Sequence, residues 1–193
     1  MKKTTVLVLC LGLGSLAYAQ DISFGLKGGL NLPNATGKDA GNTETNRGFA
    51  AGIYSTISLM PAVAIQPEVY FCQKGFKEIG SYYIATARID YIEIPVLAKV
   101  SFGAIVKPYI VAGPYFAARL GASAEMTMGG QTEYYSIDDE VKDSDMGLVF
   151  GFGLKTPLKL SIEGRYSLGL TSFDASGYNM DIKNTNLQLL VSF

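Results

Sequence analysis

Histidine and tryptophan are absent from the 193 residues, and cysteine occurs only twice. Without histidine, the chain lacks the side chain that most often shuttles protons near neutral pH and most often ligates metals. Charged residues make up only 17%, against roughly a quarter in average soluble domains. The 16 basic and 17 acidic residues leave a formal net charge of −1. No basic stripe accompanies that balance, which argues against nucleic acid as a partner. After the first segment, no apolar run approaches the roughly 18 residues of a membrane-crossing helix. Glycine (22), tyrosine (12) and phenylalanine (10) are plentiful instead. The length suits a single domain.

The first segment reads as an address. Met1-Lys2-Lys3 is positive, Val6 to Leu16 is apolar, and Ala17-Tyr18-Ala19 places small residues before Gln20. That is a secretory signal peptide over residues 1–19, with cleavage expected after Ala19 and a barrel domain over 20–193. Losing Lys2 and Lys3 takes the formal charge from −1 to −3. Cys10 lies within the apolar run and not at the cleavage point, so no lipid-anchored product is expected. Cys72 is then the only cysteine left, and no internal disulfide can form.

The rest of the chain alternates with period two. Phe24, Leu26, Leu30 and Leu32 oppose Lys27, Gly29 and Asn31; Ile92, Ile94 and Val96 oppose Glu93, Pro95 and Leu97. The pattern recurs over eight segments, among them Met146–Leu154 against Asp145–Lys155 and Leu187–Phe193 against Asn186–Ser192. Successive strand residues point to opposite faces, so each segment has one greasy and one small-or-polar face. Connections alternate between long (33–47, 76–87, 121–144, 172–183) and short (60–61, 102–106, 157). A soluble sandwich would bury the greasy face, yet the other face carries too many charges and glycines to be left against lipid or used as a core. The reading is an all-β, eight-stranded antiparallel up-and-down transmembrane β-barrel of OmpA/OmpX-like architecture, greasy outside and polar within. Closure follows because hydrocarbon offers no partner to an unpaired backbone edge.

Inward parity places Lys27, Glu68, Glu93, Glu163 and Arg165 near mid-height, Lys99 and Lys155 towards the short turns, and Lys74, Arg119 and Asp145 towards the long loops. A bore of eight strands is just wide enough to be filled by side chains, and charges there must pair. Arg165 and Lys27 are expected to bridge Glu68, Glu93 and Glu163. Three acids against two bases leave an imbalance: Lys99 or Arg119 reaches in, or one glutamate keeps its proton. The inward glycines are expected to make space for the long side chains opposite them.

Gly25-Leu26-Lys27-Gly28-Gly29-Leu30-Asn31, Gln66-Pro67-Glu68-Val69-Tyr70 and Asp90-Tyr91-Ile92-Glu93-Ile94-Pro95-Val96-Leu97 together resemble a known family. Lys107-Pro108-Tyr109 and Glu163-Gly164-Arg165-Tyr166-Ser167-Leu168-Gly169-Leu170 continue the likeness. It is to the PorT-like "porin family" of small outer-membrane β-barrels of Bacteroidetes, whose founding member is tied to type IX secretion. The resemblance implies the barrel and the outer membrane rather than a specific task.

Chemistry finds few footholds. Small outer-membrane enzymes of the deacylase, palmitoyl transferase and omptin kinds rely on histidine, so no catalytic residue and no cofactor is expected. Asp138-Asp139-Glu140 with Asp143 and Asp145 lacks the ligand spacing and central glycine of a calcium loop, so no metal site is expected either. Gly25-x-x-Gly28-Gly29 lacks the ending and the helix of a phosphate loop. A wide pore needs about 16–18 strands. Two functions stand: a structural or accessory envelope component, or a binding or adhesion protein acting through loops that carry Asn42–Asn46, Ser81-Tyr82-Tyr83 and Glu133-Tyr134-Tyr135; a narrow pore ranks behind both. The partners expected are outer-membrane lipid, the barrel-assembly machinery and proteins of an envelope or secretion complex. Phe193, ending an alternating strand, resembles the terminal aromatic signal that the assembly machinery reads.

Overall fold

The computed structural model describes residues 21–40, 43–174 and 180–193; the expected signal peptide and Asn42 lie outside them. The strands are β1 (Ile22–Thr36), β2 (Thr43–Glu44), β3 (Gly48–Met60), β4 (Val63–Ile79), β5 (Tyr83–Ser101), β6 (Lys107–Met128), β7 (Gln131–Ser136), β8 (Ser144–Lys155), β9 (Ser161–Ser172) and β10 (Lys183–Ser192). Eight of them form a ring in the order β1, β3, β4, β5, β6, β8, β9, β10, each antiparallel to the next. The ring closes where β1 pairs with β10, from Lys27–Ser192 to Thr36–Lys183. At the end of that seam Leu26 and Phe193 exchange backbone hydrogen bonds of 2.9 and 3.1 Å.

The two faces follow the alternation. Leu26, Leu30, Ile53, Ile94, Phe116, Phe150, Phe152, Ile162, Leu187 and Leu189 are exposed around the outside. Lys27, Glu68, Lys74, Glu93, Asp145, Glu163 and Arg165 are buried in the bore. This is the reverse of a soluble core, and it is stable only where the surrounding medium is hydrocarbon.

One end has tight turns. Pro61-Ala62 links β3 to β4, with Met60 paired to Val63. Residues 156–160 link β8 to β9 through a Thr156 N–H to Leu160 carbonyl bond of 2.8 Å. The other end departs from the expected loops. Residues 76–87 are not a loop: β4 and β5 stay paired to Ile79 and Ile84. The 121–144 segment is likewise structured, since β6 runs on to Met128, turns at Gly129-Gly130 and returns as β7. Both turn glycines have positive φ (58° and 83°), the backbone that a two-residue hairpin turn requires. With β2 added to the edge of β4, a sheet in the order β2, β4, β5, β6, β7 rises beyond the barrel on one side.

The reason lies where the lipid ends. On β5 the outward residues are Val96, Ile94 and Ile92, and then Asp90 and Arg88; Gln73 of β4 donates to the Asp90 carboxylate at 3.2 Å. Polarity changes there, but backbone pairing does not.

Candidate functional site

The bore holds two ion clusters, one above the other. In the one nearer the short turns, Arg165 of β9 grips Glu68 of β4 with both terminal nitrogens (2.6 Å each) and bonds Glu163 through Nε. Lys27 of β1 joins the same two acids at 2.8 and 3.3 Å. Gln66 adds an amide N–H to Glu68 at 2.6 Å. All four charged side chains are almost fully buried. Two cations thus meet two anions with fork-to-fork geometry, the arrangement that best offsets loss of hydration.

Glu93 is not part of this group, which corrects the expectation that Lys27 and Arg165 bridge it. It lies one layer towards the long loops, where Lys74 forms ion pairs with Glu93 at 2.8 Å and Asp145 at 3.0 Å. The Tyr70 hydroxyl donates to Glu93 at 2.6 Å, and Tyr115 and Thr171 donate to Asp145. The cation missing from the sequence-level balance is therefore Lys74. Lys99 does not supply it: it faces the bore but donates to the Gln66 side chain at 3.0 Å. Nor does Arg119, which stands at the rim and clamps Asp138 and Asp143. The acidic run 138–145 is thereby split between rim and bore, and no metal-holding group of residues forms among the described residues.

A pattern of three recurs around the clusters. Gly25, Gly147 and Gly153 face Tyr54, Tyr115 and Tyr109 on the neighbouring strands, each ring lying where a Cβ on the glycine would stand. Each ring in turn sits under a lysine: Lys27 at 5.2 Å, Lys74 at 4.2 Å and Lys99 at 3.9 Å from the ring centre. The glycine lets the ring lie against the sheet wall, and its face then stabilises the ammonium. Each glycine–tyrosine pair is cross-strand, so a register worked out from the sequence could have found it.

Above the Lys74 cluster the bore is closed by apolar groups. Ile89, Tyr91, Ala117 and Ala122 of the wall pack with Val141 and Phe173 of the connections. Cys72 is fully buried and accepts weak hydrogen bonds from Asn31 and Gln188. The bore is filled by ions below and by grease above.

Residues 18–175 match the family described as outer membrane protein beta-barrel domain. The chain belongs to that family. No curated protein matches it. Among solved structures the barrel is similar to Neisserial surface protein A, with 14% identity, a TM-score of 0.50, and coverage of 89% of this chain and 97% of that one. It is also similar to Ail, the attachment invasion locus protein of Yersinia pestis, with 14% identity and a TM-score of 0.44 over 91% of this chain and all of the other. At 14% identity the likeness to the Neisserial protein speaks for fold alone. Family and fold together make this a small outer-membrane barrel protein.

Proposed function

We propose that the barrel is a sealed, non-enzymatic component of the outer membrane that works by presenting its protruding sheet outside the cell. The observation that carries this reading is β7. All six of its residues are exposed, and among the described residues it pairs on one edge only, with β6. An open edge is a template for an added strand from a partner protein, and Tyr134 and Tyr135 beside it are exposed aromatic contacts. The filled bore supports the same reading by leaving solute passage no room.

A second reading keeps the barrel as an accessory part of an envelope or secretion complex. Its support is the resemblance of the Gly25–Asn31, Asp90–Leu97 and Glu163–Leu170 motifs to the PorT-like family of Bacteroidetes. In both readings the leader is removed after Ala19, and Phe193 addresses the chain to the assembly machinery.

Photo-crosslinkers at Tyr134 and at Leu158, on opposite ends of the barrel, separate the two in native outer membrane. Surface recognition predicts adducts from Tyr134 and none from Leu158. Adducts from Leu158 alone would favour the accessory role. Planar-bilayer recordings should show no conductance steps in wild type; regular steps would contradict the sealed bore.

A further inference from the structure

At the short-turn end the bore opens into a cavity of about 180 Å³, whose wall carries Lys99, Lys107 and Lys155 with Ser23, Ser101 and Ser161, and no carboxylate. Lys107 and Lys155 are direct cross-strand partners on the inward faces of β6 and β8. Like charges placed opposite each other in this way repel. Among the described residues no acid pairs with any of the three lysines. Lys99 is held by Gln66 and the Tyr109 ring, and the nearest acids deeper in the bore, Glu68 and Glu163, are taken by Lys27 and Arg165. Asp21 lies at the same end and lines an adjoining hollow that shares Ser58, Met60 and Pro61 with this one, but it does not itself line the cavity and pairs with none of the three lysines. Residues 1–20 contain no acidic side chain. Lys107 and Lys155 also border an adjoining open hollow that adds Lys159.

Lysines at a bilayer boundary commonly reach from the lipid face towards water. These three instead line one mouth, with Lys107 exposed, Lys155 half-buried and Lys99 buried, and the placement of Lys107 opposite Lys155 carries a cost in repulsion. An anion between them would remove that cost.

We propose that this vestibule is a binding site for an oxyanion of the phosphate class, either free phosphate or a phosphate monoester, on the periplasmic side of the barrel. Lysine ammonium groups serve as point charges for phosphate, and the serine hydroxyls donate to its remaining oxygens. Opposed like charges are what a pocket built around a dianion requires. The site is independent of the protruding sheet, at the other end of the molecule.

The test is calorimetric titration of the refolded full-length barrel in detergent micelles with inorganic phosphate and, separately, glycerol phosphate, each at fixed ionic strength. Wild type should bind saturably, one anion per barrel. Lys155→Gln should weaken binding severalfold and Lys107→Gln/Lys155→Gln at least tenfold, while Lys38→Gln at the far end leaves it unchanged. Tighter binding of glycerol phosphate would identify a monoester as the natural ligand, and tighter binding of inorganic phosphate the free ion. In phosphate-free buffer the double variant should also melt above wild type, because the repulsion is gone. Equal titrations of wild type and the double variant, or heat that chloride reproduces at the same ionic strength, would overturn the proposal.

Discussion

A guanidinium without solvent exposure persists only while its donors are met, and Arg165 meets them with both terminal nitrogens on Glu68 and Nε on Glu163. Arg165→Met leaves two buried carboxylates with Lys27 alone, and removing one partner of a buried ion pair costs about 3–5 kcal/mol. Denaturant unfolding in micelles should show that loss. Adding Glu68→Gln to Arg165→Met should restore part of it, because the two groups belong to one network. Gly153 makes a second residue-scale prediction. The three atoms nearest to where a Cβ would stand there all belong to Tyr109, so Gly153→Ala must push the ring off the wall and away from Lys99. Overpacking of this kind costs about 1–3 kcal/mol. The loss should shrink when Tyr109→Leu is added, and a full, additive loss would refute the stacked arrangement. The inward charges themselves were legible as a parity in the sequence. Their sorting into two layers was legible in part: Lys74 and Asp145 read as lying towards the long loops, but Glu93 read as level with Lys27 and Arg165, because the strand tilt and stagger that set its height are not written in alternation.

The elements show what periodicity measures. Outward residues are greasy only where they touch lipid, so the pattern marks the belt from about Ile92 to Val100 on β5 and falls silent at Asp90 and Arg88. Backbone pairing needs no grease and continues to Tyr83. The segments 76–87 and 121–144 therefore read as loops yet fold as extensions of β4, β5 and β6. What fastens the longest of them is a polar clamp. Asp138 accepts from the Ala122 amide and the Ser136 hydroxyl, each at 2.8 Å, and pairs with Arg119. The Ser136 hydroxyl first, then the Ala122 amide and the Arg119 charge, hold its carboxyl below the ordinary value of 3.8. A carboxylate held low in the fold contributes its stabilisation above its ordinary value and loses it as pH falls through the folded-state value. Below about pH 4 the clamp should loosen. Amide exchange at Ala122 should then quicken relative to amides of β8, and Asp138→Asn should remove that pH dependence. Unchanged relative protection down to pH 3 would show that the extension stands without the clamp.

At the scale of the whole molecule, one arrangement underlies the rest. Eight strands close through the β1–β10 seam, and the exposed rows of leucine, isoleucine and phenylalanine face outward all round. The interior is divided among a basic mouth, two ion layers and an apolar cap. The reversal of inside and outside was readable in the sequence, because a parity carrying Lys27, Glu68, Glu163 and Arg165 could be neither a soluble core nor a lipid face. The protruding sheet and the apolar cap were not, since both are built from segments beyond the hydrocarbon, where alternation carries no instruction. Solution NMR of the refolded barrel in micelles, recording Overhauser contacts between detergent acyl chains and assigned methyl groups, tests the reversal most directly. Contacts to Leu154, Ile162, Leu187 and Leu189, with none to Leu97, Val111 and Val149, are the predicted result; acyl-chain contacts at Leu97, Val111 or Val149, or their absence along the outer row, would contradict it.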